Sequence, residues 1–120
     1  MGKAANSSIS LKQIHVTDNF WNKYVHLVKD VIIPYQWDIL NDKLEDVETS
    51  HCIENFKIAA GEKEGEFQGA VFQDTDVAKW LEAVGFVLNY ERDEKLEELA
   101  DETICLLYTS PSPRDTERSR

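Results

Sequence analysis

The spacing of apolar residues along the chain predicts helices almost throughout. The first is an amphipathic helix with Thr17 or Asp18 as its N-cap, because apolar positions then follow a 3.6-residue period. Those positions are Phe20, Tyr24, Leu27, Val28, Val31 and Ile32.

Pro34 falls just after this apolar run. The residue before a proline is biased away from helical backbone, so we expect a break or a kink at Ile33. A proline is tolerated in a first helical turn, so a second helix is expected from Tyr35 to about Lys43.

Two shorter patterns predict a third and a fifth helix. Ser50 is a suitable N-cap for a helix from His51 to Ala60, and Gly61 suits the left-handed position after its end. Asp93 is a suitable N-cap for the fifth helix.

The strongest helical pattern follows the sequence VFQDTDVAKWLEA, residues 71–83. Asp74, Thr75 and Asp76 are all N-cap types, so the main helix is predicted from about Asp76 to Asn89. No alternation typical of a strand accompanies these helices, and the predicted fold class is all-α. The apolar face of the main helix comprises Val77, Trp80, Leu81, Val84, Val87 and Leu88.

Composition narrows the range of functions. The 120 residues suffice for one small domain or a part of a larger one, and a hydrophobic content of 42% permits a core. A formal net charge of -10 argues against a nucleic-acid partner, because phosphate contacts need clustered Lys and Arg. The sequence has neither a signal-peptide pattern nor an apolar run that could span a membrane, so we expect a cytoplasmic protein with no membrane partner. Its oligomeric state stays open.

Four consecutive blocks of sequence resemble one family of enzymes. The run VFQDTDVAKWLEA resembles the N-terminal signature of glycoside hydrolase family 127, the beta-L-arabinofuranosidases. Three further blocks match the family in order and spacing, and together the resemblance covers roughly residues 14–104. They are DNFWNKYVHLVKDVIIPYQWDILND, SHCIENFKIAAGEKEGEFQG and DEKLEELADETI.

The resemblance implies a fold and a reaction. Residues 14–104 would be the N-terminal helices of a truncated (α/α)6 barrel catalytic domain. The parent enzyme would release beta-L-arabinofuranosyl residues from plant-type arabinosides with retention, using a zinc-bound cysteine as nucleophile and a glutamate as acid/base. No catalytic or metal-binding residue of the family maps onto this fragment, so the fragment itself is expected to hold no cofactor and to be inactive. Cys52 stands alone, and a zinc site needs three or four converging ligands.

Residues just before and at the start of the main helix are candidates for binding the carbohydrate substrate. Phe72 could stack on a furanose ring, while Gln73, Asp74 and Asp76 could hydrogen-bond its hydroxyl groups. His51 could approach the same pocket. The competing interpretation is structural, with these residues serving only to start a core helix.

The two ends of the chain differ from its middle. Residues 1–13 are polar and predicted to be a loose leader. Residues 105–120 begin with CLLYTSPSPRD, which resembles the translation of a transposon-type sequencing adapter. We therefore expect a non-native tail that packs poorly against the rest.

Two further expectations complete the sequence analysis. Trp21, Trp37 and Trp80 are predicted core anchors because of the area that each can bury.

The alternative to a glycosidase fragment is a small acidic helical module that binds a protein partner without catalysis.

Overall fold

A computed structural model describes residues 7–110, and every regular element in that range is helical. The predicted all-α class is thereby confirmed for the described part of the chain. The elements are a 3₁₀ turn (Leu11–Gln13), α1 (Asn19–Leu27), a π-helical segment (Val28–Ile32), α2 (Ile33–Leu40), α3 (Cys52–Ala59), α4 (Asp74–Tyr90) and α5 (Glu94–Thr109).

The chain passes from α1 into α2 without a break. Asp18 caps α1 as predicted, since its Oδ1 accepts a hydrogen bond from the Trp21 amide at 2.8 Å. The expected break at Ile33 is wrong, because the irregularity is the π-helical segment one turn earlier. A proline removes one helical hydrogen bond and crowds the carbonyl four residues before it. The wider π turn gives that carbonyl room, and α2 then ends at Leu40 rather than Lys43.

Helix α4 lies at the centre of the fold. The 3₁₀ turn, α2, α3 and α5 all pack against it. Trp80 and Val84 are among its fully buried residues, as predicted, whereas Leu81 is only partly buried. The hydrophobic face of one 17-residue helix therefore organises the others.

The three tryptophans have different environments. Trp80 is 2% exposed, and its indole N–H donates to the Ile33 carbonyl at 3.1 Å. Trp37 is partly buried and packs on Trp80, with 4.6 Å between ring centroids. The prediction that Trp21 is a core anchor is wrong, because its side chain is 61% exposed on α1.

Helix α5 begins where the sequence predicts and ends later. The Asp93 carboxylate caps it by accepting from the Leu96 amide at 3.1 Å. The helix continues past Ile104 to Thr109, and Leu106 is buried in the core. The expectation that the chain packs poorly from Cys105 onward is therefore wrong at Leu106, while residues 111–120 lie outside the described residues.

The predicted leader is described only in part, since residues 1–6 lie outside the described range. Its last three residues form the 3₁₀ turn, which packs against α4.

We predict that Trp80→Phe lowers the free energy of unfolding by about 1–3 kcal/mol, because the substitution removes a buried hydrogen bond and leaves a small void. Trp21→Phe is the matched control, since it makes the same change on an exposed side chain and should cost less than about 0.5 kcal/mol. Urea denaturation followed by far-UV circular dichroism measures both. Equal losses in the two variants would contradict the central role of Trp80.

Candidate functional site

The beginnings of α3 and α4 meet beside the turn that follows α2. The Cys52 thiol donates to the Gln73 carbonyl at 3.1 Å, which joins the two helix starts. Asp42 joins the turn after α2 to the start of α3, since its carboxylate accepts from the backbone amides of Ser50 and His51 at 2.6 and 3.0 Å. We call this region, made of Asp42, His51, Cys52, Gln73 and Asp74, the α3–α4 junction.

The loop before α4 is fastened to α3 by one buried amide. Asn55 is 5% exposed, and its side chain donates to the Gln68 carbonyl at 2.8 Å and accepts from the Gln68 amide at 3.1 Å. The Gln73 side chain accepts from the Ala70 amide at 2.8 Å and closes the next turn of the loop. The loop is thus held at both ends, and it presents Phe72 with its side chain 67% exposed.

His51 is the N-cap of α3 and not, as predicted, the first residue of that helix. It occupies the N-cap position of α3 with φ at 56°, so the helix begins at Cys52 and the prediction that Ser50 is the N-cap is wrong. Left-handed backbone costs a non-glycine residue roughly 1 kcal/mol, and the charge-assisted hydrogen bonds that the His51 amide donates to the Asp42 carboxylate offset that cost. The imidazole Nε2 lies 3.0 Å from Thr49 Oγ1, while Nδ1 lies 3.7 Å from Asp42 Oδ2.

Helix α4 begins at Asp74, within two residues of the predicted start at Asp76. The N-cap is Gln73 rather than any of the three predicted residues, because Asp74, Thr75 and Asp76 all lie in the first helical turn. The Thr75 hydroxyl donates back to the Phe72 carbonyl at 2.8 Å. The two aspartates place negative charge at the positive end of the helix dipole.

The predicted substrate-binding residues fall into separate environments. His51, Gln73 and Asp74 belong to the α3–α4 junction, and Phe72 extends from the adjoining loop. Asp76 instead lines a cleft of about 440 Å³ between α2 and α4, together with Gln36 and Ala83, and pairs with Lys79 at 3.1 Å. Neither Phe72 nor His51 lines that cleft.

The thiol of Cys52 is buried and protonated. The pKa of Cys52 is raised from 9.0 to about 12, chiefly by burial and to a smaller extent by the nearby carboxylates of Asp76, Asp74 and Asp42, while a hydrogen bond from the Val77 backbone acts in the opposite direction. A zinc-bound or nucleophilic cysteine must be a thiolate. Among the described residues, Cys52 also belongs to no group of three possible metal ligands, so no zinc site is completed around its thiol there.

Within the described residues, Asp42, His51 and Glu54 can each place one ligand atom within 4.8 Å of the others. All three already have partners. Both Asp42 oxygens accept backbone amides, and Glu54 pairs with Lys63 at 2.8 Å, a hydrogen bond that lowers the pKa of the Glu54 carboxyl. These bonds hold the turn after α2 and the start of α3 together, and a cation bound here would have to displace the Lys63 ammonium from Glu54.

The described residues form an all-helical segment that packs around α4. The chain belongs to glycoside hydrolase family 127. The family model for the catalytic domain, described as beta-L-arabinofuranosidase, GH127 catalytic domain, matches residues 13–110.

Two relatives extend the match. A non-reducing end beta-L-arabinofuranosidase of Bifidobacterium longum subsp. longum is 37% identical over 106 residues, which cover 78% of this chain and 16% of that protein. The crystal structure of a GH127 beta-L-arabinofuranosidase from Geobacillus stearothermophilus T6 matches with 57% identity and a TM-score of 0.77, over 79% of this chain and 15% of that one. This chain thus spans about one sixth of the length of these relatives.

The described helices do not include one that is long and apolar enough to cross a membrane.

The raised pKa of Cys52 predicts a pH dependence of stability. The folded state retains the thiol proton where the unfolded chain loses it, so the stabilisation is complete below pH about 9 and is lost as the pH rises toward 12. We expect the free energy of unfolding to fall by up to about 1.4 kcal/mol more per pH unit in the native chain than in Cys52→Ser. Cys105→Ser, which alters the exposed cysteine, should leave that slope unchanged. Denaturation at pH 8, 9 and 10 measures the difference, and parallel profiles in the native chain and Cys52→Ser would refute it.

Proposed function

We propose that this chain is the N-terminal part of the catalytic domain of a beta-L-arabinofuranosidase, and that the α3–α4 junction with Phe72 forms one wall of its sugar pocket. The observation that carries the proposal is the 57% identity to a beta-L-arabinofuranosidase over 79% of the chain, with the same backbone arrangement. Family membership favours this function over a non-catalytic interaction module.

The reaction we propose for the whole enzyme is the release of beta-L-arabinofuranosyl residues from plant-type arabinosides with retention. Retention needs a nucleophile and an acid/base group placed on the two sides of the glycosidic bond. The resemblance assigns these roles to a zinc-bound cysteine and a glutamate, and a bound zinc would keep that cysteine deprotonated. Cys52 is buried and lies in no group of possible metal ligands among the described residues, so we propose that the nucleophile, the acid/base and the zinc site belong to parts of the enzyme outside this chain.

The role left to this segment is recognition of the sugar. The exposed ring of Phe72 offers an apolar face for a furanose, and the hydrogen bonds of Asn55 hold the loop that carries it. Gln73 uses its amide oxygen for the Ala70 amide, so a contact with a hydroxyl group would come from its amide nitrogen. Asp74 follows Gln73 in the chain, and His51 precedes Cys52, whose thiol donates to the Gln73 carbonyl, so we propose both as further partners for hydroxyl groups of the sugar. Asp76, on the cleft between α2 and α4, is the least favoured of the five candidates.

A chimeric enzyme tests the proposed function. Residues 13–110 of this chain would replace the matching segment of the Geobacillus enzyme, and the product should hydrolyse an aryl beta-L-arabinofuranoside with a rate within about tenfold of the parent, since the replaced segment is 57% identical. The 120-residue chain alone should show neither hydrolysis nor stoichiometric zinc. A chimera that folds and binds zinc like the parent but has no activity would contradict the proposal, as would hydrolysis by the chain alone.

The same chimera tests the role of Phe72. Phe72→Ala should lower kcat/KM by roughly tenfold, because a lost ring contact is worth about 1–1.5 kcal/mol. Val71→Ala, a neighbouring exposed apolar residue, is the control and should change kcat/KM by less than about twofold. Equal effects of the two substitutions, or none from Phe72→Ala, would remove Phe72 from the pocket.

A further inference from the structure

An apolar groove runs between α1 and the C-terminal half of α4. Its volume is about 490 Å³, and apolar or aromatic side chains make up nearly all of its lining. We call it the α1 groove. The lining residues are Leu11, Val16, Trp21, Tyr24, Val25, Val28, Lys29, Phe86, Val87 and Tyr90.

The walls of the groove are exposed to an unusual degree for such large side chains. Trp21 is 61% exposed and Phe86 is 58% exposed, so both walls face solvent. Beside the groove on α1, Phe20 is also 61% exposed. Contiguous apolar surface of this kind on a soluble protein marks a place where something else packs.

Polar contacts fix the shape of the groove without filling it. Lys29 extends to Glu91 at 3.1 Å, which ties the π-helical segment to the end of α4. The Tyr90 hydroxyl accepts from the Val16 amide at 3.0 Å and ties the same end of α4 to the segment before α1. The one charged side chain in the lining is thus neutralised by an ion pair at its tip. The groove is preformed, and its open surface is apolar.

We propose that the α1 groove is the docking surface for an apolar helix face supplied by the remainder of the same glycosidase domain. The inference rests on the proposed function, because it takes the occupant from the parent enzyme. Its support is the match to a catalytic-domain family over residues 13–110 in a chain that spans 15% of its structural neighbour, so most of that enzyme lies outside this segment. The helix that docks must present a row of aliphatic or aromatic side chains three and four residues apart, because such a row fits a groove between two helices.

A second copy of this chain is the competing occupant, and its charge opposes that arrangement. Each copy has a formal net charge of -10, so pairing two copies brings like charges together. An occupant from the same polypeptide also needs no second molecule and loses less translational freedom on packing. The observations therefore favour the parent domain.

The test compares the 120-residue chain with the chimeric enzyme described above, using hydroxyl-radical labelling of Trp21 and Phe86. Labelling of both side chains should be at least about tenfold slower in the chimera, since packing removes them from water. Unchanged labelling would overturn the inference. This readout does not depend on activity, so an inactive chimera with protected side chains would refute the proposed function alone, and an active chimera with labelled side chains would refute the docking surface alone.

A pair of substitutions gives a second measurement. Val28→Asp places a charge in the groove, and Val31→Asp makes the same change one turn away, outside the lining residues. In the chimera we expect Val28→Asp to lower Tm by about 10 °C or more, and Val31→Asp by less than about half as much, because a buried unpaired charge is the larger cost. In the 120-residue chain both should shift Tm by less than about 2 °C, since both side chains are exposed there.

Sedimentation of the 120-residue chain completes the test. A concentration-dependent dimer that Val28→Asp disperses and Val31→Asp does not would place a second copy in the groove and overturn the inference. A chain that stays monomeric, or that associates equally in both variants, would support the parent domain as the occupant when the labelling result agrees.

Discussion

The hydrogen bond from the Trp80 indole to the Ile33 carbonyl is the interaction on which the rest of the fold depends. It joins the middle of α4 to the point where the π-helical segment becomes α2, just before Pro34. The packing of Trp37 on Trp80 continues the same contact along α2. Because α3 and α5 also pack on α4, the positions of the other core helices depend on the position and orientation of α4.

The geometry of the α3–α4 junction depends on this packing of helices around α4. Once α3 and α4 are packed, the distance that the loop between them must span is fixed. Asn55 and Cys52 supply the hydrogen bonds that hold this loop in place. A buried polar side chain needs hydrogen-bond partners to offset its loss of contact with water. The amide of Asn55 has two such partners, the backbone carbonyl and the backbone amide of Gln68. Phe72 is therefore exposed on a loop that hydrogen bonds hold in place, and this is the arrangement that the proposed contact with a sugar needs.

The features that the sequence predicted correctly are local ones. The 3.6-residue period located α4 and α5, and the caps at Asp18 and Asp93 were correct because each carboxylate reaches an amide only three residues away. The left-handed backbone at His51 was not predicted, because it depends on the carboxylate of Asp42, nine residues earlier. The bond between Asn55 and Gln68 spans thirteen residues and has no periodic signature. A polar residue between Cys52 and Phe56, on an otherwise apolar face, was the one available signal for it.

The exposure of Trp21 shows a second limit of sequence patterns. A helical period reveals that α1 has an apolar face, but it does not reveal which surface covers that face. Within the described residues, α1 runs on into the π-helical segment, and its aromatic residues pack mostly on one another, with Phe20 5.1 Å from Trp21 and 5.2 Å from Tyr24 between ring centroids.

The two surfaces proposed to have a function lie at opposite ends of α4. The α3–α4 junction surrounds its first residue, Asp74, while the α1 groove is built on Phe86, Val87 and Tyr90 at its other end. A helix of 17 residues is about 25 Å long and moves as a unit. A partner helix packed in the groove would therefore contact the C-terminal end of α4 and fix the orientation of that helix, and through α4 it would position the loop that carries Phe72 without contacting that loop. On this argument the substrate-facing wall is set by packing at a distance, so a groove substitution should disturb sugar binding only to the extent that it lets α4 tilt.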